Sequence, residues 1–182
     1  MFVSKPGSKK QERLRALVED PRRRRFWAAR SRRRQAVVVL TLVTLAGAAA
    51  FAAAILAEPP ASLVWLGAFV LMIAGSAVTA TQINIAARWV AGYEGLDEFQ
   101  RAEADHAARL GHHVTMVLLG LLIGIVCGFG GWLTSQEAST HAVLAVLAPL
   151  VILTTLCHAA FPACYLAWTR PDEVLDDEDE QV

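Results

Sequence analysis

Four long stretches of this chain carry almost no charge. Residues 36–57, 62–90, 114–134 and 141–168 contain no Asp, Glu, Lys or Arg apart from Arg88 at the end of the second. That absence excludes soluble amphipathic helices, which keep a polar face. Each stretch reaches the roughly 20 residues needed to cross a hydrocarbon layer about 30 Å thick. The lack of any acidic group within a stretch also argues against a proton-coupled exporter of the small four-helix type, which needs an ionisable relay in the membrane. Cysteine is scarce. Cys127, Cys157 and Cys164 all fall inside apolar stretches and form no CxxC. A disulfide framework and a dithiol redox centre are therefore not expected, and the three thiols read as small buried hydrophobes. HExxH, a Walker loop and GxSxG are also missing, so the common metalloprotease, nucleotide-hydrolase and serine-hydrolase signatures are excluded.

What is present is an excess of apolar residues, 55% of the 182-residue chain, against roughly 45–50% in soluble domains. In lipid every backbone polar group must be satisfied within its own segment, so the four stretches are predicted to be helices. The zero net charge hides a segregation. Of the 17 Lys and Arg residues, 13 precede residue 36, and seven of the 17 acidic residues follow Thr169. The short connections 58–61 and 135–140 contain no Lys or Arg. Under the positive-inside rule both termini and the middle segment 92–113 are then cytoplasmic. The expected fold is an all-α membrane protein. Four transmembrane helices form an antiparallel bundle, with a short amphipathic helix between the second and third.

Residues 1–35 form a basic arm. A short helix is predicted over 11–18, stopped by Asp20-Pro21. The run Arg22-Arg23-Arg24-Arg25-Phe26-Trp27, continuing through Arg30, Arg32, Arg33 and Arg34, suits a leaflet rich in anionic headgroups. Phe26 and Trp27 would be interfacial anchors. A juxtamembrane basic run needs no nucleic acid to explain it, and none is expected as a partner. The first apolar stretch is too long for the core of a cleaved signal peptide. At the other end, residues 169–182 are too acidic to fold alone. They could dock on the basic arm or on a partner's basic surface.

Within the spans, Ala46, Gly47, Ala50 and Ala54 allow close helix approach in the first. Ser76, Thr79, Thr81, Gln82 and Asn84 need polar partners in the second. Gly120-xxx-Gly124-xxx-Gly128 is a double close-packing step in the third, whose outer end Gly130-Gly131 should loosen. Pro149 and Pro162 should kink the fourth.

The middle segment holds the densest interior set of ionisable groups. Asp97 is predicted to cap a helix, with Gln100 closing a capping box and Gly95 allowing the preceding turn. Phe99, Ala102, His106 and Leu110 give a mildly apolar face. Glu98–Arg101 and Asp105–Arg109 have the spacing of weak helical ion pairs. The helix is expected to lie against the membrane or to lead into the third span, with Gly111 as a hinge. These residues carry a resemblance. Arg88-Trp89-Val90, then Leu96-Asp97-Glu98-Phe99-Gln100-Arg101, Glu103 and Ala107-Ala108 are similar to the inter-span motif of a group of small, uncharacterised bacterial inner-membrane proteins. Those have four spans and an L-D-E-x-Q-R segment between the second and third. The motif covers about 20 residues, and the charged tails and His106 depart from its pattern. The resemblance implies a class and no activity. It places Asp97, Glu98, Gln100 and Arg101, together with Gly120, Gly124 and Gly128, as candidate partner-contacting or packing residues.

Two cofactor readings follow from the histidines. Glu103-x-x-His106 lies on one helical face, and His112 and His113 could join it around a divalent metal. The plainer reading is a solvated helix face. His158, midway along the fourth span, is the ionisable residue deepest in the bilayer and a candidate haem or quinone ligand with His113. Its plainer role is a hydrogen bond to Gln82, Asn84 or a carbonyl freed by Pro162. A transporter would need a polar cavity near Gln82, Asn84 and His158. Function is expected to be non-enzymatic: an accessory or scaffolding subunit that contacts a protein partner or a second copy. A metal- or cofactor-binding redox protein and a small transporter are the alternatives.

Overall fold

A computed structural model describes residues 8–135 and 139–173. All regular structure among them is helical. α1 (Ser8–Val18) ends before Asp20, whose carboxylate accepts from the Arg22 N–H at 3.0 Å and caps α2 (Pro21–Trp27). Proline in the first turn suits that cap, because its missing N–H would be unsatisfied there anyway. α3 (Arg30–Leu56) and α4 (Ala61–Ala86) follow. α5 (Glu98–Ile125) passes through a π-helical turn, Val126–Gly130, into α6 (Gly131–Ser135). α7 (Thr140–Thr169) starts at Ser139, which caps the Ala142 N–H, and its helix is unbroken at Pro149 and Pro162. Four helical segments are long and apolar enough to cross a membrane: Arg30–Leu56, Ala61–Ala86, Glu98–Leu133 and Thr140–Thr169.

Several boundaries differ from those read in the sequence. α3 starts at Arg30, not at residue 36, so part of the basic run is the first turns of a spanning helix. The middle segment holds no separate helix. From Glu98 onward it is the beginning of α5, which continues without a break through Gly111. Gly111 is therefore not a hinge. A Cβ there would meet Pro162 Cγ at 3.2 Å and Phe161 Cδ1 at 3.4 Å, so glycine allows α5 to approach α7 closely. The loosening expected at Gly130-Gly131 is the π turn that ends at Gly130.

The long helices pack unequally. α3 lies between α4 and α7, and α5 leans on α7. Gly47 lets α3 approach α4, where its Cβ would sit 3.2 Å from Met72 Cβ. On either side of that contact, Thr44 and Ser76 hydroxyls meet at 3.1 Å and the Phe51 and Phe69 rings at 4.6 Å. The buried cluster joins Leu40, Ile83, Ala87, Ala107, Ala163, Leu166 and Ala167, mostly small residues from all four long segments. It lies beside the end of the molecule where the charged groups gather.

Candidate interaction surface

At that end three polar segments meet: the basic arm, the link between α4 and α5, and the residues that follow α7. Arg33, 5% exposed, is the centre of one knot. Its guanidinium donates to the carbonyls of Trp27 (2.8 Å), Ala28 (3.0 Å), Arg170 (2.9 Å) and Pro171. Carbonyls at helix C-termini lack intrahelical partners and carry partial negative charge, and arginine offers five donors in one plane. Both terminal nitrogens of this buried cation are thus engaged by carbonyls, while its Nε is buried without a hydrogen bond.

Glu173 is the second knot. Its Oε1 accepts from Arg24 Nη2 at 2.7 Å and Arg88 Nη2 at 2.8 Å, while its own N–H donates to the Ala28 carbonyl at 3.1 Å. The Arg30 N–H donates to Asp172 Oδ1. Residues 170–173 therefore lie as a strap across the start of α3. The sequence offered docking of the acidic end on the basic arm as one option, and its first acidic residues do so. Residues 174–182, with the rest of that acidic run, lie outside the described residues, as do 136–138 of the loop after α6 and 1–7 of the arm.

Arg88 is conformationally unusual. α4 ends in a Schellman turn, with Trp89 N–H bonded to Asn84 O (2.8 Å) and Arg88 N–H to Ile85 O (3.0 Å). The left-handed position of that turn is normally glycine, yet here it is Arg88 at φ 54°. A side chain there costs about 1–2 kcal/mol. The compensation is placement of the guanidinium between Glu173 and Gln100 Oε1, the latter at 3.4 Å. Gln100 is consequently turned toward Arg88. Only the Asp97 half of the expected capping box forms, with Asp97 accepting from the Gln100 N–H at 2.7 Å.

α5 meets α7 along a ladder of four-residue steps. Arg170 Nε donates to Glu103 Oε2 at 2.9 Å. Ala107, 0% exposed, shares the buried cluster with Leu166. Gly111 abuts Pro162, and Thr115 Oγ1 lies 2.7 Å from His158 Nδ1. Numbers rise by four along α5 as they fall by four along α7. Ala107, Gly111 and Thr115 are small residues four apart, and they form the close-packing face that sequence reading missed. The signal was visible, but it lies in the polar segment rather than in the apolar stretch. Gly120, Gly124 and Gly128 are placed differently. Nothing lies within 4 Å of a Cβ built on any of them. Gly120 is nine residues beyond Gly111, about two and a half turns, so it sits on roughly the opposite side of α5.

The link before α5 is fastened to α1. Tyr93 Oη donates to Glu19 Oε1 at 2.8 Å, and Gln11 Nε2 donates to Gly92 O at 2.7 Å. A side chain at Gly95 would collide with the folded-back Tyr93 ring. Burial, then the bond to the Glu19 carboxylate, pushes the Tyr93 phenol above its ordinary value.

The candidate metal ligands are not brought together. Glu103 is committed to Arg170, His106 faces Tyr165 at a ring distance of 6.0 Å, and the His112 and His113 rings are 6.1 Å apart. Among the described residues no three His, Cys, Asp or Glu side chains gather as a metal site. His158 bonds to Thr115 rather than to Gln82, Asn84 or a freed carbonyl. Asn84 Oδ1 is buried without a hydrogen bond. Arg101 turns toward Glu94 O at 3.4 Å, and Asp97 and Glu98 are exposed. No family model, curated protein or solved structure matches this chain.

Proposed function

We propose that this chain is an accessory or scaffolding subunit of a bacterial inner membrane. In this reading it is an antiparallel four-span bundle, with both termini and segment 92–113 in the cytoplasm. The confinement of Lys and Arg to those three segments and to Arg88, which flanks the middle one, supports the orientation. The observation that carries the scaffolding role is the unequal use of α5. One side of its first half is zipped to α7. Nothing described lies within 4 Å of a Cβ built on Gly120 or Gly124 in its second half, or on Gly128 in the π turn beyond, although their spacing lets another helix approach closely. A protein partner or a second copy of this chain occupies that side, and exposed arginines such as Arg22 and Arg32 rest on anionic headgroups.

Two measurements test this. Single cysteines at positions 58 and 137 should react with a membrane-impermeant thiol reagent from outside intact cells, whereas one at position 97 should not. The opposite pattern overturns the topology. The full chain in mild detergent should elute as a stoichiometric complex or oligomer that Gly124→Leu disperses. Elution of the unaltered chain as a lone monomer overturns the scaffolding role.

A further inference from the structure

We propose that Arg24 and Arg88 form a binding site for the phosphate of an acidic lipid headgroup, and that Glu173 closes it as an internal competitor. Two guanidiniums from separate elements converge on one carboxylate oxygen, at 2.7 and 2.8 Å. Arg23 and Trp27 line the same hollow. Arg23 is itself paired with Asp20 at 3.6 Å, so the converging pair is Arg24 and Arg88, and a phosphate offers more acceptor oxygens to that pair than a carboxylate does. The left-handed backbone of Arg88 sets where its side chain leaves the chain, and bonds to Glu173 and Gln100 hold the guanidinium. Glu173 and Arg24 remain about one-third exposed, so the pair is open to exchange with an anion from outside.

The competitor is attached to a strap that release would free. Residues 170–173 are held by the Glu173 N–H on Ala28 O, by Asp172 on the Arg30 N–H and by the Arg33 guanidinium on two carbonyls. Displacing the Glu173 carboxylate removes its two ion pairs, to Arg24 and Arg88, and leaves the strap on these remaining bonds alone. The sequence beyond it, Asp176-Asp177-Glu178-Asp179-Glu180, is repelled by the same anionic surface that draws in the arginines. The strap is therefore a latch. It stays closed against a neutral leaflet and opens on an acidic one. This deepens the reading above, since it requires that the charged end face an anionic leaflet.

The test uses the full chain in nanodiscs of phosphatidylcholine, with and without phosphatidate. Hydrogen exchange is followed at the Arg30 and Glu173 amides, and lipid retention by native mass spectrometry. Phosphatidate should accelerate exchange at both amides. Glu173→Gln should retain phosphatidate about fivefold more strongly, the scale of one partly exposed ion pair removed from competition. Arg24→Gln, on a peripheral helix, should lose that gain while keeping the far-ultraviolet spectrum of the parent. If inorganic phosphate in neutral nanodiscs opens the strap equally well, the ligand is a soluble anion and the lipid assignment falls. If the parent prefers phosphatidate but Glu173→Gln gains nothing and the strap stays protected, the latch is wrong and the membrane reading stands. If neither protein distinguishes the two lipids, the orientation toward an anionic leaflet fails, and the latch with it.

Discussion

The two halves of α5 carry the same kind of signal and put it to different use. Ala107, Gly111 and Thr115 step by four along the first half, and Gly120 and Gly124 step by four along the second, with Gly128 following in the π turn. The first set is pressed against α7, whereas the second meets nothing within 4 Å of its would-be Cβ atoms. Small residues at this spacing state that a backbone can be approached closely. They do not state which neighbour comes. In the first half polar pairs at both ends of the ladder, Glu103–Arg170 and Thr115–His158, fix the register. The second set has only apolar neighbours beside its glycines, leucine, isoleucine and valine with Cys127 and Phe129 around Gly128. Apolar side chains there gain as much from lipid as from α7.

The largest effect should come from filling the two faces in turn. Gly111→Leu drives a branched side chain into Pro162 and Phe161, where even a Cβ has only 3.2 and 3.4 Å. Overpacking of this kind costs about 2–3 kcal/mol. Gly124→Leu enters open space, and its cost in the isolated chain should stay below about 0.5 kcal/mol. Thermal unfolding of parent and both variants as monomers, in a detergent that disperses any complex, compares them directly. Equal losses would mean that the second face is also packed, and the contrast between the halves would disappear.

The sequence made the broad architecture legible because membrane helices obey strong rules. Four uncharged stretches can only be helices in lipid, and the Asp97 cap was visible because a carboxylate before a helix has one obvious use. The errors lie where tertiary contacts overrode local cues. Arg33 looked like a headgroup ligand, yet four carbonyls from α2 and the end of α7 allow it to be buried inside α3. Gly111 looked like a hinge between a polar helix and an apolar one, but α7 supplies a surface that suits both. Gln100 fitted a capping box, and the unexpected left-handed Arg88 drew it away. A glycine at position 88 would have advertised the Schellman turn. An arginine concealed it. The histidine and carboxylate cluster failed as a metal site because its best acid, Glu103, was more strongly claimed by Arg170 across the ladder.

A smaller effect tests what anchors the first half from outside the ladder. Tyr93 ties the segment ahead of α5 to α1 through Glu19. Its phenol is held above the ordinary value of 10.0, by burial first and the Glu19 carboxylate second. A group whose folded pKa is raised contributes its stability below the unfolded pKa and loses it as pH climbs through the folded one. The α1 anchor should therefore be intact at and below pH 10 and weaken only above it. Tyr93→Phe should cost about 1 kcal/mol at neutral pH and abolish that alkaline loss. Phenolate absorbance, measured as parent minus Tyr93→Phe, gives the titration, and exchange at the α1 amides gives the release. A Tyr93 transition below pH 10 would contradict the burial of its hydroxyl.

The smallest effect marks the point where the two halves of α5 divide. Thr115 Oγ1 lies 2.8 Å from Gly111 O and 2.7 Å from His158 Nδ1, but a hydroxyl has one proton. The Gly111 carbonyl can only accept. When the hydroxyl donates to it, His158 must donate from Nδ1, and its neutral ring carries the proton there and leaves Nε2 bare. Nitrogen-15 spectra of the histidine-labelled chain should then give a protonated Nδ1 for His158. Thr115→Val should remove that preference and cost only about 0.6 kcal/mol, a typical value for a hydrogen bond between membrane helices. A parent ring protonated mainly at Nε2 would mean that the hydroxyl points at the histidine instead. The last rung would then be held by Thr115 as the donor, and it would compete with the bond along α5 instead of extending it.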